Sequence, residues 1–490
     1  MRSTPKSGRQ VPKATVLAIL VAVAGLTVDA SAQRPVPARD STRGLALAMS
    51  EGFTLAAVGD IIQTHPISTR RTPGLTDVIT LLQTADATFG NFESSALDMR
   101  TFPGYPQAEF GGLWVRSDPA VVPDLKAMGF DLVARANNHS TDWGLEGMRE
   151  TDRRLDQAGI VHAGTGEHRA AARAPGYLTT PQGTIAIVSM ASSFTPLSRS
   201  TPPQGLAPGR PGVSALRTTR RVLVSPEMLQ TLRRVYDAQP KGSYQPPADS
   251  TPNDLELLGV RYRASAAAKD KLAFTFEMDS TDVQEILAGI RQGKRNADFL
   301  IATIHAHEPG NWSEEPADFL PGLAHAAIDN GADAFIGHGP HQLRGIEIYK
   351  GKPIFYSLGN FFFQVTSIEP IAADLYEQFK RDPRKVVDAE FHEWWEKRFF
   401  GGETAPIYYR SVVAVSKYER GAVSEIRLYP VELGFSDRAA ERGVPRLAPP
   451  AVAREILAQL DRLSRPYGTT IAVEGNVGVI RAPSARTSGQ

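Results

Sequence analysis

The 490-residue chain contains no cysteine. No disulfide and no thiolate metal site can form, so any metal must rest on His, Asp, Glu, Asn or water. That absence does not by itself choose a compartment. An excess of charge of either sign is missing too: 54 Lys and Arg stand against 53 Asp and Glu. Nothing electrostatic therefore points to nucleic acid or to an anionic membrane surface as partner. Beyond the N-terminus no segment is apolar for long enough to span a membrane, and no internal repeat is found. A chain of this length readily builds a core, and two domains are compatible with it.

What is present starts with Arg2, Lys6, Arg9 and Lys13 ahead of an apolar run over residues 14–28, followed by Ala30-Ser31-Ala32. Basic region, apolar run and small-residue site form a signal-peptide pattern, and the run is short for a membrane span. The expectation is a signal peptide over 1–32, cleavage near Ala32 and a mature protein that is periplasmic or secreted. No cysteine follows the site, which excludes a lipoprotein anchor. Residues 33–50 read as a loose leader.

From Phe53 onward, apolar runs of strand length alternate with amphipathic stretches of helix length. FTLAAV, DATFGNFE, FDLVARAN, TIAIVSMAS, ADFLIATIHAH and ADAFIGHGPH read as strands. TDVITLLQTA, DPAVVPDLKAMG, LEGMRETDRRLDQAG, STDVQEILAGIRQGKRN and LPGLAHAAIDNG read as helices. This rhythm implies an α/β fold with a mostly parallel sheet covered by helices. Residues 195–255 break it with Pro, Gly and Ser, and predict an insertion of long loops around one helix, VSPEMLQTLRRVYDA. Farther on, the spacing predicts a hairpin with Lys350-Gly351 at its tip, a helical segment over 366–404, an antiparallel pair over 407–434, and a final helix and hairpin over 449–482.

The chemistry collects where strands end. Gly59-Asp60, Gly90-Asn91-Phe92-Glu93, Asn137-Asn138-His139 with Asp142, His305-Ala306-His307-Glu308 and Gly337-His338-Gly339-Pro340-His341 each turn polar after an apolar run. In a parallel sheet such ends share one rim, where α/β folds bind ligands. Singly, each has an ordinary structural role: Asp60 as a cap, Asn137 and Asn138 as turn residues, Glu93 as a surface carboxylate. Jointly, imidazoles and hard oxygen ligands suit a divalent ion of the Mn, Fe or Zn type. His305 and His307 lie two apart and face one side of a strand. Arg135 and Lys352 are candidate counter-charges for an anion, with an ordinary surface role as the alternative.

The motifs AAVGDI, GNFESS, ANNHSTDWG, IHAHEPGNW and GADAFIGHGPHQLRGIEIYKGKPIFYSLGNF, in this order, resemble the CapA family of capsule and poly-γ-glutamate synthesis proteins, itself similar to the calcineurin-like metallophosphoesterases. The resemblance implies a four-layer α/β/β/α metallophosphoesterase-like sandwich over 51–365, with a loop-rich insertion at about 195–275 and an α+β C-terminal extension, 366–490, completing the second sheet. It also implies roles. Asp60, Glu93, His305, His307, His338 and His341 become metal ligands. His139 becomes general acid or base, oriented by Asp142, and Asn91, Asn137 and Asn138 bind substrate.

The match is incomplete. Ile62 stands where phosphoesterases carry the histidine of an Asp-x-His motif. Asn91 and Glu93 stand near a bridging aspartate, two residues separate His338 from His341, and Gly339 replaces a histidine of many CapA members. These departures leave the ion count open at two, one or none. The implied function is synthesis, transfer or export of an anionic polymer such as poly-γ-glutamate, with other capsule-synthesis proteins at the membrane as further partners. Two alternatives remain: a metal-dependent phosphoester or amide hydrolase acting on a small anionic substrate, and a non-catalytic polymer-binding subunit that docks partners through its insertion.

Overall fold

The first strand, Thr54–Ile62, organises the molecule. In the computed structural model, which describes residues 49–70, 73–109, 113–240, 251–268, 273–399 and 405–481, it is hydrogen-bonded in parallel to Ala87–Phe92. Leu132–Ala134 and Val161–Ala163 continue that parallel side. On its other side lie Asn360–Phe363, parallel, and Arg410–Glu419, antiparallel. Ala422–Glu432, Val477–Arg481 and Ala472–Glu474 extend the sheet outward, so the C-terminal strands are part of the same ten-stranded sheet as the first. A second sheet of six strands runs in the order Ile346–Tyr349, Lys352–Phe355, Ala334–His338, Phe299–His305, Gly183–Ala191, Gly176–Thr180. Its central strands are parallel.

Side-chain alternation assigns each face a different neighbour. Leu55 and Ala57 of the first strand, with Phe89 and Leu132, share a core with Ile187, Ile301 and Ile336 of the second sheet. Ala56 and Val58 point the other way, onto Val78 and Leu82 of the Leu75–Thr84 helix and Val122 and Leu125 of the Val121–Ala127 helix. On the far side of the second sheet, Val188, Ala302 and Phe335 meet Ile286 and Ile290 of the Ser280–Arg295 helix and Leu323 and Ala327 of the Phe319–Asp329 helix. Strands buried on both faces carry continuous apolar runs, which is why FLIATIH and AFIGH show no polar alternation. Each fully buried large apolar side chain contributes about 1.5–3 kcal/mol of transfer free energy. Among the described residues no helix is long and apolar enough to cross a membrane. The expected signal peptide and residues 33–48 of the expected leader lie outside the described residues.

The insertion corrects the sequence reading. In place of long loops around one helix it holds a four-stranded sheet, Asp254–Leu257, Val260–Ala264, Thr218–Val224 and Ala273–Met278. The expected helix, Pro226–Asp237, is present, with Ser225 accepting from the Met228 amide at 3.2 Å as its cap. Val222, Val224, Leu229, Leu255 and Leu257 make a small core of its own. The strands escaped notice because charged residues break up their apolar positions: DLEL, VRYRA, TTRRVLV and AFTFEM each carry Asp, Glu or Arg. Arg221 and Arg263 reach across the sheet to Asp254 and Glu277 at 2.6–3.3 Å. Cross-strand ion pairs of this kind hold a half-exposed sheet face that short apolar runs alone would not.

Candidate metal centre

Asp60 lies near the end of the first strand at an irregularity in its pairing with both neighbours. Gly59 before it is forced: a Cβ there would sit 1.9 Å from the Gly359 carbonyl oxygen. The two backbones touch, and this brings Asn360 into register with Asp60. Asp60 Oδ1 accepts from Asn91 Nδ2 at 2.8 Å, and Oδ2 accepts from the Gly339 amide at 3.2 Å. Gly339 has φ 111°, a conformation that glycine adopts readily. The ends of the first strand, of Ala87–Phe92 and of Ala334–His338, and the start of Asn360–Phe363, thus meet around one carboxylate.

The imidazoles stand close together. His305 Nε2 is 3.0 Å from His307 Nε2, and the His307 and His341 ring centroids are 5.2 Å apart. His307 Nδ1 is 2.7 Å from Asn311 Oδ1, and its Nε2 is 3.4 Å from Asn138 Oδ1. His341 Nδ1 is 2.9 Å from Asn360 Oδ1 and 3.5 Å from Asp60 Oδ2. His139 Nδ1 meets Asp142 Oδ2 at 2.6 Å, and the same oxygen accepts from the Val115 amide at 2.7 Å.

Glu93 is the exceptional member. It is fully buried, and among the described residues neither of its carboxylate oxygens has a hydrogen-bond partner. Its Oε1 lies 3.5 Å from His305 Nε2 and 3.7 Å from His139 Nε2. A buried unpaired carboxylate is costly unless a cation or a proton neutralises it. Burial, then the charges of Asp60 and Asp142, push its carboxyl well above the ordinary range. Asp60 goes the other way. Burial works to raise it, but the His341 hydrogen bond and the charges of His305, His338 and His341 hold it below the ordinary carboxylate value. Burial, followed by the neighbouring histidines, pushes His305 well down and His307 down to about 3. Neutral imidazoles and an unneutralised carboxylate are the donor set of a borderline divalent cation. Among the described residues two groups have ligand atoms all within 4.8 Å of one another: Glu93, His307 and His341, and Asp60, Glu93 and His305.

The remaining expected residues divide. His338 stands outside both groups. Its Nε2 is 3.1 Å from the Val58 carbonyl oxygen and its Nδ1 3.3 Å from Thr303 Oγ1, with its ring against Phe89. It is placed inside the fold because it is the last residue of the Ala334–His338 strand, one step before the turn that releases His341. Asn91 and Asn137 are fully buried and use their amides on Asp60, His305, Phe92 and each other, while Asn138 is 5% exposed. Arg135 is no surface counter-charge: it is fully buried, and its Nη1 donates to the carbonyls of Phe92 at 3.0 Å and Ser94 at 2.8 Å. It therefore clamps the backbone on either side of Glu93. Lys352 is bound by Asp333 and the Gly421 carbonyl.

Sequence reasoning passed over Asn311 and Asn360. Each is the immediate hydrogen-bond partner of a site histidine. The signal available was a polar residue beside glycine in otherwise constrained stretches, PGNW and LGNFFF.

A model of the bacterial capsule synthesis protein family PGA_cap matches residues 54–365. Two uncharacterized proteins of Sinorhizobium fredii, y4sH and y4uA, are each 50% identical over 449 residues, covering 90% of this chain and 96% of theirs. The PGA biosynthesis protein CapA of Bacillus subtilis is 25% identical over 283 residues, 58% of this chain and 54% of that protein. The capsule biosynthesis protein CapA of Bacillus anthracis is 24% identical over 319 residues, 64% and 60% of the two chains.

Proposed function

The chain belongs to the bacterial capsule synthesis protein family PGA_cap, and we propose that it acts in making or transferring an anionic capsule polymer, such as poly-γ-glutamate, through a divalent-cation site at the strand-end rim. The observation that carries this reading is Glu93, a buried carboxylate with two unpartnered oxygens beside the histidine pair. Asp60, Glu93, His305, His307 and His341 form the two overlapping groups from which the ligands of the ion would come. When bound, such an ion lowers the pKa of water and polarises an ester or amide oxygen.

The chain's own groups do the rest. Asp142 accepts a hydrogen bond from Nδ1–H of His139 and fixes that ring, so Nε2 faces Glu93 and can accept or return a proton during bond cleavage or transfer. Asn138 lies at the rim, able to hydrogen-bond a carboxylate or phosphate oxygen of the substrate. The helices on the outer face of each sheet fit a four-layer α/β/β/α sandwich, and the N-terminal pattern fits export to the periplasm or beyond. A standard phosphoesterase is the weaker reading, because Ile62 is buried in the core where that class carries a ligand histidine.

Elemental analysis of the purified chain after equilibration with Mn²⁺ or Zn²⁺ tests the reading, with Glu93→Ala and His341→Ala alongside. Stoichiometric ion in the parent and none in the variants is expected, together with chelator-sensitive cleavage or transfer at γ-glutamyl amides. No ion in the parent, with polymer binding unchanged in both variants, identifies a binding protein instead.

A further inference from the structure

The hydrogen bonds around the histidines determine which nitrogen of each ring carries the proton, and so which can accept a cation. A neutral imidazole has one N–H and one lone pair, and its partner decides which is which. The decision starts at a backbone group whose direction is fixed. The His139 amide donates to Asn137 Oδ1 at 3.1 Å. Asn137 must then present its Nδ2, which donates to the Phe92 carbonyl and to Asn91 Oδ1. Asn91 in turn presents its Nδ2, which donates to Asp60 Oδ1 and stands 3.1 Å from His305 Nδ1. His305 Nδ1 therefore accepts, and its proton resides on Nε2.

That proton faces His307 Nε2 at 3.0 Å, so His307 Nε2 holds a lone pair and its Nδ1–H donates to Asn311 Oδ1 at 2.7 Å. The 2.7 Å bond outweighs the 3.4 Å approach of Asn138 Oδ1 to Nε2. His341 is determined separately. Asn360 Nδ2 donates to the carbonyls of His341 and Tyr408, which turns Asn360 Oδ1 toward His341 Nδ1. Asp60 Oδ2, an acceptor, faces the same nitrogen at 3.5 Å. His341 is thus Nδ1–H, with the lone pair on Nε2.

We propose that the ion is held by Glu93 with Nε2 of His307 and Nε2 of His341, and that His305 and Asp60 are positioning residues rather than ligands. Once the ion takes the His307 lone pair, the His305 Nε2–H would turn from His307 Nε2 to Glu93 Oε1, 3.5 Å away. Asp60 and Asn360 orient His341, and Asn311 orients His307. This choice between the two overlapping groups rests on the cation reading given above. The motif resemblance assigns His305 and Asp60 a ligand's role, whereas here the amide chain engages the His305 lone pair and both Asp60 oxygens accept from Asn91 and the Gly339 amide, a supporting role.

The test has two arms. Ring ¹⁵N spectra of the histidine-labelled, ion-free chain read the tautomers directly, with His305→Gln, His307→Gln and His341→Gln supplying the assignments. Protonated Nδ1 at His307 and His341 and protonated Nε2 at His305 are expected; an Nδ1-protonated His305 overturns the proposal whether or not any ion binds. Zn²⁺ titration against a chromophoric chelator is the second arm. His305→Gln keeps an N–H near the Nε2 position and is expected to stay within about 10-fold of the parent, the lower edge of what supporting partners cost. His307→Gln and His341→Gln are expected to lose more than about 100-fold. Equal losses in all three overturn the proposal. A parent chain that binds no Zn²⁺ defeats the underlying cation reading, and the spectra then decide the tautomers on their own.

Discussion

Glu93 at the strand-end rim and Asp282 at the root of the insertion are both buried carboxylates, and they are treated in opposite ways. Asp282, whose side chain is 2% exposed, accepts from Arg173 Nη2 at 2.6 Å and from Arg217 Nε at 2.7 Å. Burial works to raise its carboxyl, but the hydrogen bonds from Arg217 and Arg173 prevail and hold it below the ordinary value. Glu93 has histidines for neighbours and two nearby carboxylates, and it is pushed up. A buried charge that the fold satisfies with arginines ties two elements together: here, the start of the small sheet and the Ser280–Arg295 helix. A buried charge left without a counter-ion by its own chain is a seat for something the chain does not supply. Burial alone does not distinguish these cases; the partners do.

Three substitutions break or sharpen that contrast. The largest stability effect is expected from Asp282→Ala, which removes the carboxylate shared by Arg173 and Arg217 and leaves them only Glu285 and Asp279 as acidic partners. It should cost about 3 kcal/mol in chemical denaturation, as for other buried pairs that lose one member, and a loss near zero would mean that the arginines find other partners. Glu93→Gln comes next, in chelator-treated protein. A carboxyl raised in the fold contributes stability that is complete below its ordinary value of 4.5 and is lost as pH rises through the folded value. As pH rises above about 5 the parent should therefore lose stability relative to Glu93→Gln, by about 2 kcal/mol in all, the cost of a buried unpaired charge. Parallel pH profiles would remove the contrast, and saturating Zn²⁺ should flatten the parent's fall. Least affected is Arg263→Ala on the small sheet, whose ion pairs to Asp254 and Glu277 are half-exposed. It should change stability by about 0–1 kcal/mol, and a larger loss in denaturation would show that the insertion depends on its charges as much as on its small core.

Much of the architecture was legible in the sequence, for reasons that can be named. Strands covered on both faces need uninterrupted apolar runs, so TLAAV, FLIATIH and AFIGH announced themselves, and the polar residues after them marked the rim. The insertion's strands were hidden because arginines paired across a sheet look like loop polarity when read along one segment. Arg135 was misread for a related reason. Next to Asn-Asn it looked like a surface charge, but its guanidinium is directed inward at two carbonyls contributed by the Phe92–Ser94 turn. His338 and His341 sit three apart in one motif, yet the first ends a strand and faces Val58 and Thr303 while the second, at φ 58°, leaves the turn toward Asp60.

By itself the sequence determined the α/β class, the order of strands and helices outside the insertion and the set of polar tips that end those strands. These depend on periodicity and on residue type, which are local properties. Only the tertiary structure decided that Glu93 is left unpaired while Asp282 is satisfied, that His338 turns away, and that Asn311 and Asn360 stand behind two of the histidines. Those outcomes depend on which donor meets which acceptor, over sequence separations from 4 residues for His307 and Asn311 to 280 for His338 and Val58, and hydrogen-bond direction is a property of the assembled pair, not of either residue alone.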